Sequence, residues 1–106
     1  MEKCGYDVSY ISNVDTHADL PGLLRSKAWL SVGHDEYWSV SMFENMKEAV
    51  ARGVNAAFLS GDTCWGVIPF LPSSSGVPNR VITRIGKFGP LDERDAKLWP
   101  EVTKFQ

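Results

Sequence analysis

The strongest constraint on the fold is a strand–helix–strand pattern in the middle of the chain. Residues 28–32 form a short, β-rich apolar run that ends at Gly33, and residues 54–60 form a second one. Between the two runs, apolar residues recur at helical spacing, and Gly53 closes the predicted helix. These apolar helix positions are Met42, Phe43, Met46, Ala49 and Val50. Two strands joined through a helix are typical of an α/β fold with a mainly parallel sheet.

The boundaries of this unit allow sharper expectations. Ser41 and Glu44 match a capping box, in which the serine and glutamate side chains satisfy free backbone N–H groups at a helix start. We therefore expect the helix to begin at Ser41. Residues 54–60 are apolar enough to be buried on both faces, which favours an inner strand of a parallel sheet.

The first quarter of the chain predicts a helix end, a strand and a short helix. Residues 1–5 resemble the last turn of a helix closed by a glycine. Residues 8–12 alternate between polar and apolar side chains and predict a strand, along which Tyr6 and Tyr10 pack. Residues 18–24 predict a short helix with three leucines on one side. Because domains seldom begin at a helix end, we expect the chain to be part of a longer domain.

The last third of the chain is less regular. Residues 69–79 are rich in proline and serine and predict a flexible loop. Residues 80–85 alternate again and predict an edge strand or a hairpin arm, with Arg80 and Arg84 on one face. Exposed ion pairs are the usual outcome for such arginines. Residues 86–106 are polar and show no clear periodicity.

The composition excludes several classes of protein. With 106 residues the chain is at most one domain, since domains usually run to about 100–200 residues. Its 11 basic and 13 acidic residues leave a net charge of −2, so no basic surplus favours nucleic acid. Charges, glycines and a proline interrupt the most apolar stretch, which excludes a membrane span. Cys4 and Cys64 form no C-x-x-C pair, which favours reduced thiols in a cytoplasmic protein.

Two loops of the predicted sheet are candidates for a functional site. Ligands of α/β sheets bind beyond the carboxyl ends of the strands, and residues 34–38 and 61–66 follow two such ends. The side chains in the first loop that can bind or react are His34, Asp35, Glu36 and Tyr37. Histidine transfers protons near neutral pH, and carboxylate and tyrosinate oxygens suit a ferric ion. A structural role stays open, in which the carboxylates favour a helix N-terminus and the aromatic rings pack.

The second loop lies where many α/β enzymes place a nucleophile on a tight turn. Cys64 would be that nucleophile, with a histidine as its base. However, its spacing from Gly61 and Gly66 does not fit the signature of such a turn. The favoured interpretation is a turn in which Asp62 makes an Asx-type bond and the thiol is buried. His17, the other histidine, lies among cap-forming residues and is expected to be a surface or capping residue.

Four short segments of the chain, taken together, resemble a known family. They are GYDVSY at 5–10, DTH at 15–17, SVGHDEYWS at 31–39 and AFLSG at 57–61. In this order and spacing they resemble the C-terminal domain of the large (beta) subunit of N,N-dimethylformamidase and its relatives. The GHDEYWS run is the specific part of the match. The resemblance covers the chain to about residue 65 and is fainter over residues 79–90.

The resemblance implies a fold, a reaction and a metal. The implied fold is a flavodoxin-like, class I glutamine amidotransferase-like three-layer sandwich that lacks the catalytic cysteine of those amidotransferases. The implied reaction is hydrolysis of a small amide, N,N-dimethylformamide, to dimethylamine and formate at a mononuclear iron held by two tyrosines and a glutamate. Tyr37 corresponds to one tyrosine ligand, with His34, Asp35 and Glu36 as near neighbours and candidate catalytic groups.

The family's other two ligands fall upstream and downstream of this sequence. We therefore expect the chain alone to bind no iron stoichiometrically and to be inactive as an amidase. A non-catalytic α/β binding or scaffold module is the alternative, because many domains keep a fold without its activity. Part of a sheet also leaves strand edges and apolar faces uncovered, so we expect a homo-oligomer, or a small subunit of a full enzyme.

Overall fold

The computed structural model describes residues 1–82 and shows helices combined with short, mostly parallel strands. A single 3-10 turn at Glu2–Cys4 opens the chain. The helices are α1 (Asn13–Ala18), α2 (Leu20–Leu24) and α3 (Val40–Ala51). The strands are β1 (Ala28–Val32), β2 (Tyr37–Trp38), β3 (Asn55–Leu59), β4 (Gly66–Val67), β5 (Phe70–Leu71) and β6 (Val81–Ile82). The predicted α/β class is therefore confirmed.

The central unit of the fold is β1–α3–β3, as the apolar pattern predicts. Strands β1 and β3 pair in parallel, in a register that runs from Ala28 opposite Asn55 to Val32 opposite Leu59. Gly33, with a φ of 89°, ends β1, and the left-handed backbone there is one that glycine adopts without strain. Strands β2 and β4 form a second parallel pair, and β5 and β6 form an antiparallel one.

The core lies between α3 and one face of the β1–β3 pair. Helix α3 buries an apolar stripe whose members are Val40, Met42, Phe43, Met46 and Ala49. Across from the helix, Trp29 meets Trp38 and Phe58 edge to face, with ring centroids 5.8 and 5.7 Å apart. Leu23 of α2 joins this cluster. Val50, the fifth predicted helix position, is half exposed and lies outside the core.

The opposite face of the β1–β3 pair is open to solvent in the described part of the chain. Val32 is 73% exposed and Leu59 is 63% exposed, and the two residues are neighbours in the register. The expectation that residues 54–60 are buried on both faces is therefore wrong. Only Val54 in that run is buried, because the core cluster with α3 takes in the Trp29 side of the strand pair, while Val32 and Leu59 on the other side stay exposed. Homo-oligomer formation through this face stays a prediction.

The N-terminal strand predicted at residues 8–12 is also wrong. Residues 6–11 have no regular structure, and Tyr6 and Tyr10 are 63% and 80% exposed rather than packed along a strand. Ser12 instead begins α1 through a capping box with Asp15, which ends the extended run by satisfying backbone N–H groups locally. The helical turn closed by Gly5 is confirmed, with a φ of 80° at that glycine.

Two helix starts differ from the expected ones. The predicted helix over residues 18–24 is two helices, because Asp19 ends α1 and its carboxylate accepts a hydrogen bond from the Gly22 N–H at the start of α2. Helix α3 begins at Val40, and its cap is Ser39, whose hydroxyl accepts from the Met42 N–H. The capping box predicted at Ser41 is therefore wrong by two residues, since the helix already includes that position.

The proline- and serine-rich segment connects the two arms of a hairpin. The arms of this hairpin are β5 and β6. Between them, the Val77 carbonyl accepts a hydrogen bond from the Ser73 N–H at 2.8 Å. The predicted hairpin arm is confirmed at Val81–Ile82. Its remainder, including Arg84, and the polar stretch 86–106 lie outside the described residues. Within residues 1–82, no helix is long and apolar enough to cross a membrane.

Candidate functional site

The two loops singled out in the sequence meet at one edge of the β1–β3 pair. The strands are parallel, with Val32 opposite Leu59. Residues 33–36 and residues 60–65, which follow the two carboxyl ends, therefore leave the strand pair at the same edge. The Gly33 N–H continues the ladder by donating to the Leu59 carbonyl at 3.2 Å. We call this edge, made of residues 33–36 and 60–65, the strand-end rim. Its location is where α/β sheets bind ligands.

His34 and Asp62 form a pair across the strand-end rim. The His34 Nε2 lies 3.3 Å from the Asp62 Oδ2, and the two side chains are 69% and 66% exposed. Asp62 itself has a φ of 52°, a left-handed conformation that aspartate tolerates better than most residues. The Asx-type turn predicted for Asp62 is therefore replaced by a contact with an imidazole. The pair combines a proton-transfer group with a carboxylate at a solvent-accessible position.

Asp35 connects the two loops and is tied at four points. Its Oδ2 accepts from the Ser31 hydroxyl at 2.8 Å, and its Oδ1 accepts from the Asn13 amide at 3.2 Å. Its backbone N–H donates to the Ser60 hydroxyl at 3.1 Å, and its carbonyl accepts from the Cys64 N–H at 3.0 Å. Both carboxylate oxygens are thus engaged within the fold. This arrangement makes Asp35 a brace of the rim.

Glu36 and Tyr37 lead out of the rim into a second parallel ladder. The Glu36 carbonyl accepts from the Gly66 N–H at 2.9 Å, and Tyr37 lies opposite Gly66 in the register. Both side chains are half-buried. The segment 34–38 was expected to be a loop throughout, but its last two residues are strand β2. Pairing with β4, which periodicity cannot reveal in so short a strand, causes this difference.

Trp38 forms the apolar floor beneath the rim. Its side chain is 1% exposed and packs between the rings of Trp29 and Phe58. Its indole Nε1 has no hydrogen-bond acceptor within residues 1–82. Burial of an indole N–H without an acceptor costs free energy, so the packing of the ring has to outweigh that cost. The predicted packing role of this aromatic residue agrees with its position.

Cys64 is fully buried, as the favoured interpretation of the second loop predicts. Burial raises the pKa of its thiol to about 12, and the negative charge of Asp35 contributes in the same direction. The thiolate is the reactive form of cysteine. A buried thiol with such a raised pKa is a poor nucleophile near neutral pH, which argues against the thiol-enzyme hypothesis.

His17 is part of the junction between α1 and α3. Its Nδ1 lies 2.7 Å from the hydroxyl of Ser39, the residue that caps α3. Its ring meets Phe70 edge to face at 4.8 Å. The Asn45 amide donates to the carbonyls of Thr16 and His17 at 2.9 Å each, which fastens the end of α1 to α3. The residue expected at the surface or in a cap is therefore half-buried, and it contacts the serine that caps α3.

The sequence-based predictions did not identify three residues that form hydrogen bonds with Asp35. Ser31 and Ser60 bond to Asp35 from the two strands, and Asn13 does so from the start of α1. One signal for Ser31 was available: a small polar residue inside an apolar strand, on the buried face, needs a partner. No comparable signal existed for Asn13, whose partner lies 22 positions away.

The grouping of possible metal ligands bears on the iron that the family resemblance implies. In residues 1–82, no group of three or more histidine, cysteine, aspartate or glutamate side chains could hold a metal ion. His34 and Asp62 contact each other, and the Asp35 carboxylate is occupied by Ser31 and Asn13. A hydrolytic metal centre usually needs about three protein ligands. The metal role implied for Tyr37 stays a prediction.

Comparison with known proteins identifies the family of the chain. Residues 1–101 match the sequence profile described as N,N-dimethylformamidase beta subunit-like, C-terminal. Neither the curated proteins nor the solved structures contain a significant match. The profile spans both loops of the strand-end rim and the helices behind it. The chain therefore belongs to the N,N-dimethylformamidase beta subunit-like C-terminal family.

Proposed function

We propose that this chain provides one wall of the active site of an iron-dependent amide hydrolase that cleaves a formamide C–N bond. The observation that carries the proposal is the strand-end rim, where His34 and Asp62 lie 3.3 Å apart and Asp35 ties the two loops together. Membership of the N,N-dimethylformamidase beta subunit-like family supplies the reaction class. Small amides such as N,N-dimethylformamide would be the substrates, with an amine and formate as products.

The proposal gives the rim residues different roles. Tyr37 would provide one phenolate ligand to iron, with the remaining ligands coming from outside residues 1–82. Bound iron would polarise the amide carbonyl as a Lewis acid. His34 and Glu36 would lie close to the reacting groups, because both belong to the short segment that leads directly to Tyr37. Asp35 would hold the two loops in place, since both its carboxylate oxygens already accept hydrogen bonds.

A finer fold assignment belongs to the same proposal. The parallel β1–β3 pair, whose Trp29 shares a core cluster with the apolar residues of α3, is compatible with part of a flavodoxin-like, class I glutamine amidotransferase-like three-layer sandwich. In that arrangement the open face with Val32 and Leu59 would be covered by a further layer or by another copy of the chain. Either cover would remove apolar side chains from water.

Iron titration of the purified chain tests the metal role of Tyr37. Ferric iron bound by a tyrosinate gives a visible charge-transfer band. We expect a weak band that Tyr37→Phe removes and that Tyr10→Phe leaves unchanged, because Tyr10 is 80% exposed and lies outside the rim. After gel filtration, the chain should retain less than one equivalent of iron and should not hydrolyse N,N-dimethylformamide.

Two outcomes would count against the proposal. A band that survives Tyr37→Phe would remove Tyr37 from the ligand set. One retained iron per chain, together with formamide hydrolysis, would contradict the idea that this chain supplies only part of the site. The matched tyrosine variants separate these outcomes from loss of folding, because both exchange the same side chain for phenylalanine.

A non-catalytic binding or scaffold module is the second candidate. The observation in its favour is that both oxygens of the Asp35 carboxylate accept hydrogen bonds from Ser31 and Asn13. This polar side chain of the rim therefore stabilises the fold. This function requires no iron ligand. It predicts that ferric iron produces no Tyr37-dependent band at any concentration, which the same titration measures.

A further inference from the structure

We propose that Asp62 is a positioning residue that orients the His34 imidazole, so that its Nδ1 is the proton-accepting atom of the site. The inference rests on the proposed hydrolase function and extends it to a residue outside the GHDEYWS run. The Asp62 Oδ2 lies 3.3 Å from the His34 Nε2. Because a carboxylate oxygen only accepts hydrogen bonds, the imidazole can bond to Asp62 only with its hydrogen on Nε2, which leaves the lone pair of Nδ1 available.

The loop geometry shows that this pair is held by the fold rather than by the two side chains alone. Asp62 lies in a turn in which two non-glycine residues, Asp62 and Cys64, have φ values of 52° and 56°. Conformations of this kind are strained and persist where neighbouring contacts fix them. Those contacts come from Asp35, which binds Ser60 before the turn and Cys64 within it. Asp35 is also next to His34 in the chain.

Exposure of the pair suits a chemical role better than a stabilising one. The two side chains are 69% and 66% exposed, and exposed ion pairs contribute little to stability. The same exposure lets water and a small amide reach the imidazole. Gly61 lies beside the ring, since a Cβ built on it would be 3.7 Å from the His34 Cε1.

The proton balance of the reaction assigns Nδ1 a role in both halves of hydrolysis. As the oxygen of a water molecule bonds to the formyl carbon, one water proton passes to His34 Nδ1. The proton then passes from Nδ1 to the amine nitrogen as the C–N bond breaks. The products are the amine and formic acid, which releases its remaining proton to solvent and becomes formate, and His34 returns to its starting tautomer with its hydrogen on Nε2. Asp62 stays ionised throughout and holds the ring in orientation.

Nitrogen NMR of the ¹⁵N-labelled chain tests the role of Asp62. At about pH 8.5, where an ordinary imidazole is neutral, the wild-type His34 spectrum should show a protonated Nε2 and a bare Nδ1. Asp62→Gly fits the left-handed backbone and removes the carboxylate. It should move the two nitrogen shifts several parts per million towards each other, as the tautomers mix. Asp62→Asn keeps the shape and should give an intermediate result, because its amide either accepts or donates.

Two controls make the result specific. Asp7→Asn changes an exposed aspartate away from the rim and should leave the His34 spectrum unchanged. The His17 ring, whose Nδ1 contacts Ser39, should be unchanged in all variants. Identical His34 shifts in the wild type and Asp62→Gly, or a wild-type hydrogen on Nδ1, would overturn the inference. The measurement needs neither iron nor turnover, so its failure is distinct from failure of the iron titration.

Discussion

The core beneath α3 and the strand-end rim are built from opposite kinds of interaction. In the core, Met42 and Ala49 are 0% exposed and Trp38 is 1% exposed. In the rim, His34 and Asp62 are about two-thirds exposed, and hydrogen bonds through Asp35 join the loops. Apolar burial therefore stabilises one region, whereas directional polar contacts shape the other.

This difference separates stability from chemistry within a short chain. Burial of large apolar side chains contributes about 1.5–3 kcal/mol each, while exposed ion pairs contribute little. Substitutions in the rim can therefore change reactivity at a small cost in folding free energy. Asp35 is the exception, because it belongs to the rim by position and to the fold by its four hydrogen bonds.

The largest expected effect is in the core. Met42→Ala should lower the free energy of unfolding by about 2–5 kcal/mol, because it leaves a cavity beneath the helix at a fully buried position. Val50→Ala, on the exposed side of the same helix, should change it by no more than about 0.5 kcal/mol. Urea denaturation of both variants measures the contrast. Equal effects would mean that α3 does not bury the face described.

An intermediate effect is expected at the brace of the rim. Asp35→Ala should cost about 1–3 kcal/mol of unfolding free energy, because the buried Ser31 hydroxyl loses its charged acceptor. Glu36→Ala is the matched control, since its carboxylate makes no hydrogen bond among the described residues. The same denaturation experiment compares the two. If Asp35→Ala cost as little as Glu36→Ala, Asp35 would not be the brace that joins the loops.

The smallest expected effect distinguishes two serines at the start of α3. Ser39→Ala should cost about 0.5–2 kcal/mol, because the Met42 N–H loses its cap. Ser41→Ala should cost less than about 0.5 kcal/mol, because that residue lies inside the helix. Thermal or urea unfolding of the pair measures the difference. A larger loss of stability for Ser41→Ala than for Ser39→Ala would support the capping box expected at Ser41.

The sequence predicted the central unit of the fold better than its surroundings. Strand β1, the apolar stripe of α3 and the parallel pairing follow from local periodicity and glycine positions. The strand expected at residues 8–12 was wrong, since a strand needs a neighbour to pair with, and the Ser12–Asp15 cap competes locally. The burial expected for both faces of β3 failed for a similar reason. Hydrophobicity indicates that a residue can be buried, but only the packed elements decide which side is covered.

The candidate site was also predicted only in part from the sequence. The GHDEYWS run pointed to His34, Asp35, Glu36 and Tyr37 as candidate site residues, and their roles stay predictions. The sequence did not show that these side chains have different partners. The Asp35 carboxylate accepts hydrogen bonds within the fold, while the His34 imidazole lies next to Asp62. Asp62 was expected to form only a turn. Its contact with the imidazole depends on the parallel register that brings the two loops together.

By itself, the sequence determined the α/β class, the helix that carries the core, the family and the loop that holds the candidate site residues. These features depend on local periodicity and on a contiguous motif, both of which are properties of neighbouring residues. Only the tertiary structure decided that Asp35 is a brace, that Cys64 is buried with a raised pKa, and that His34 pairs with Asp62. Those outcomes depend on contacts between distant residues, which form only when β1 and β3 align around α3.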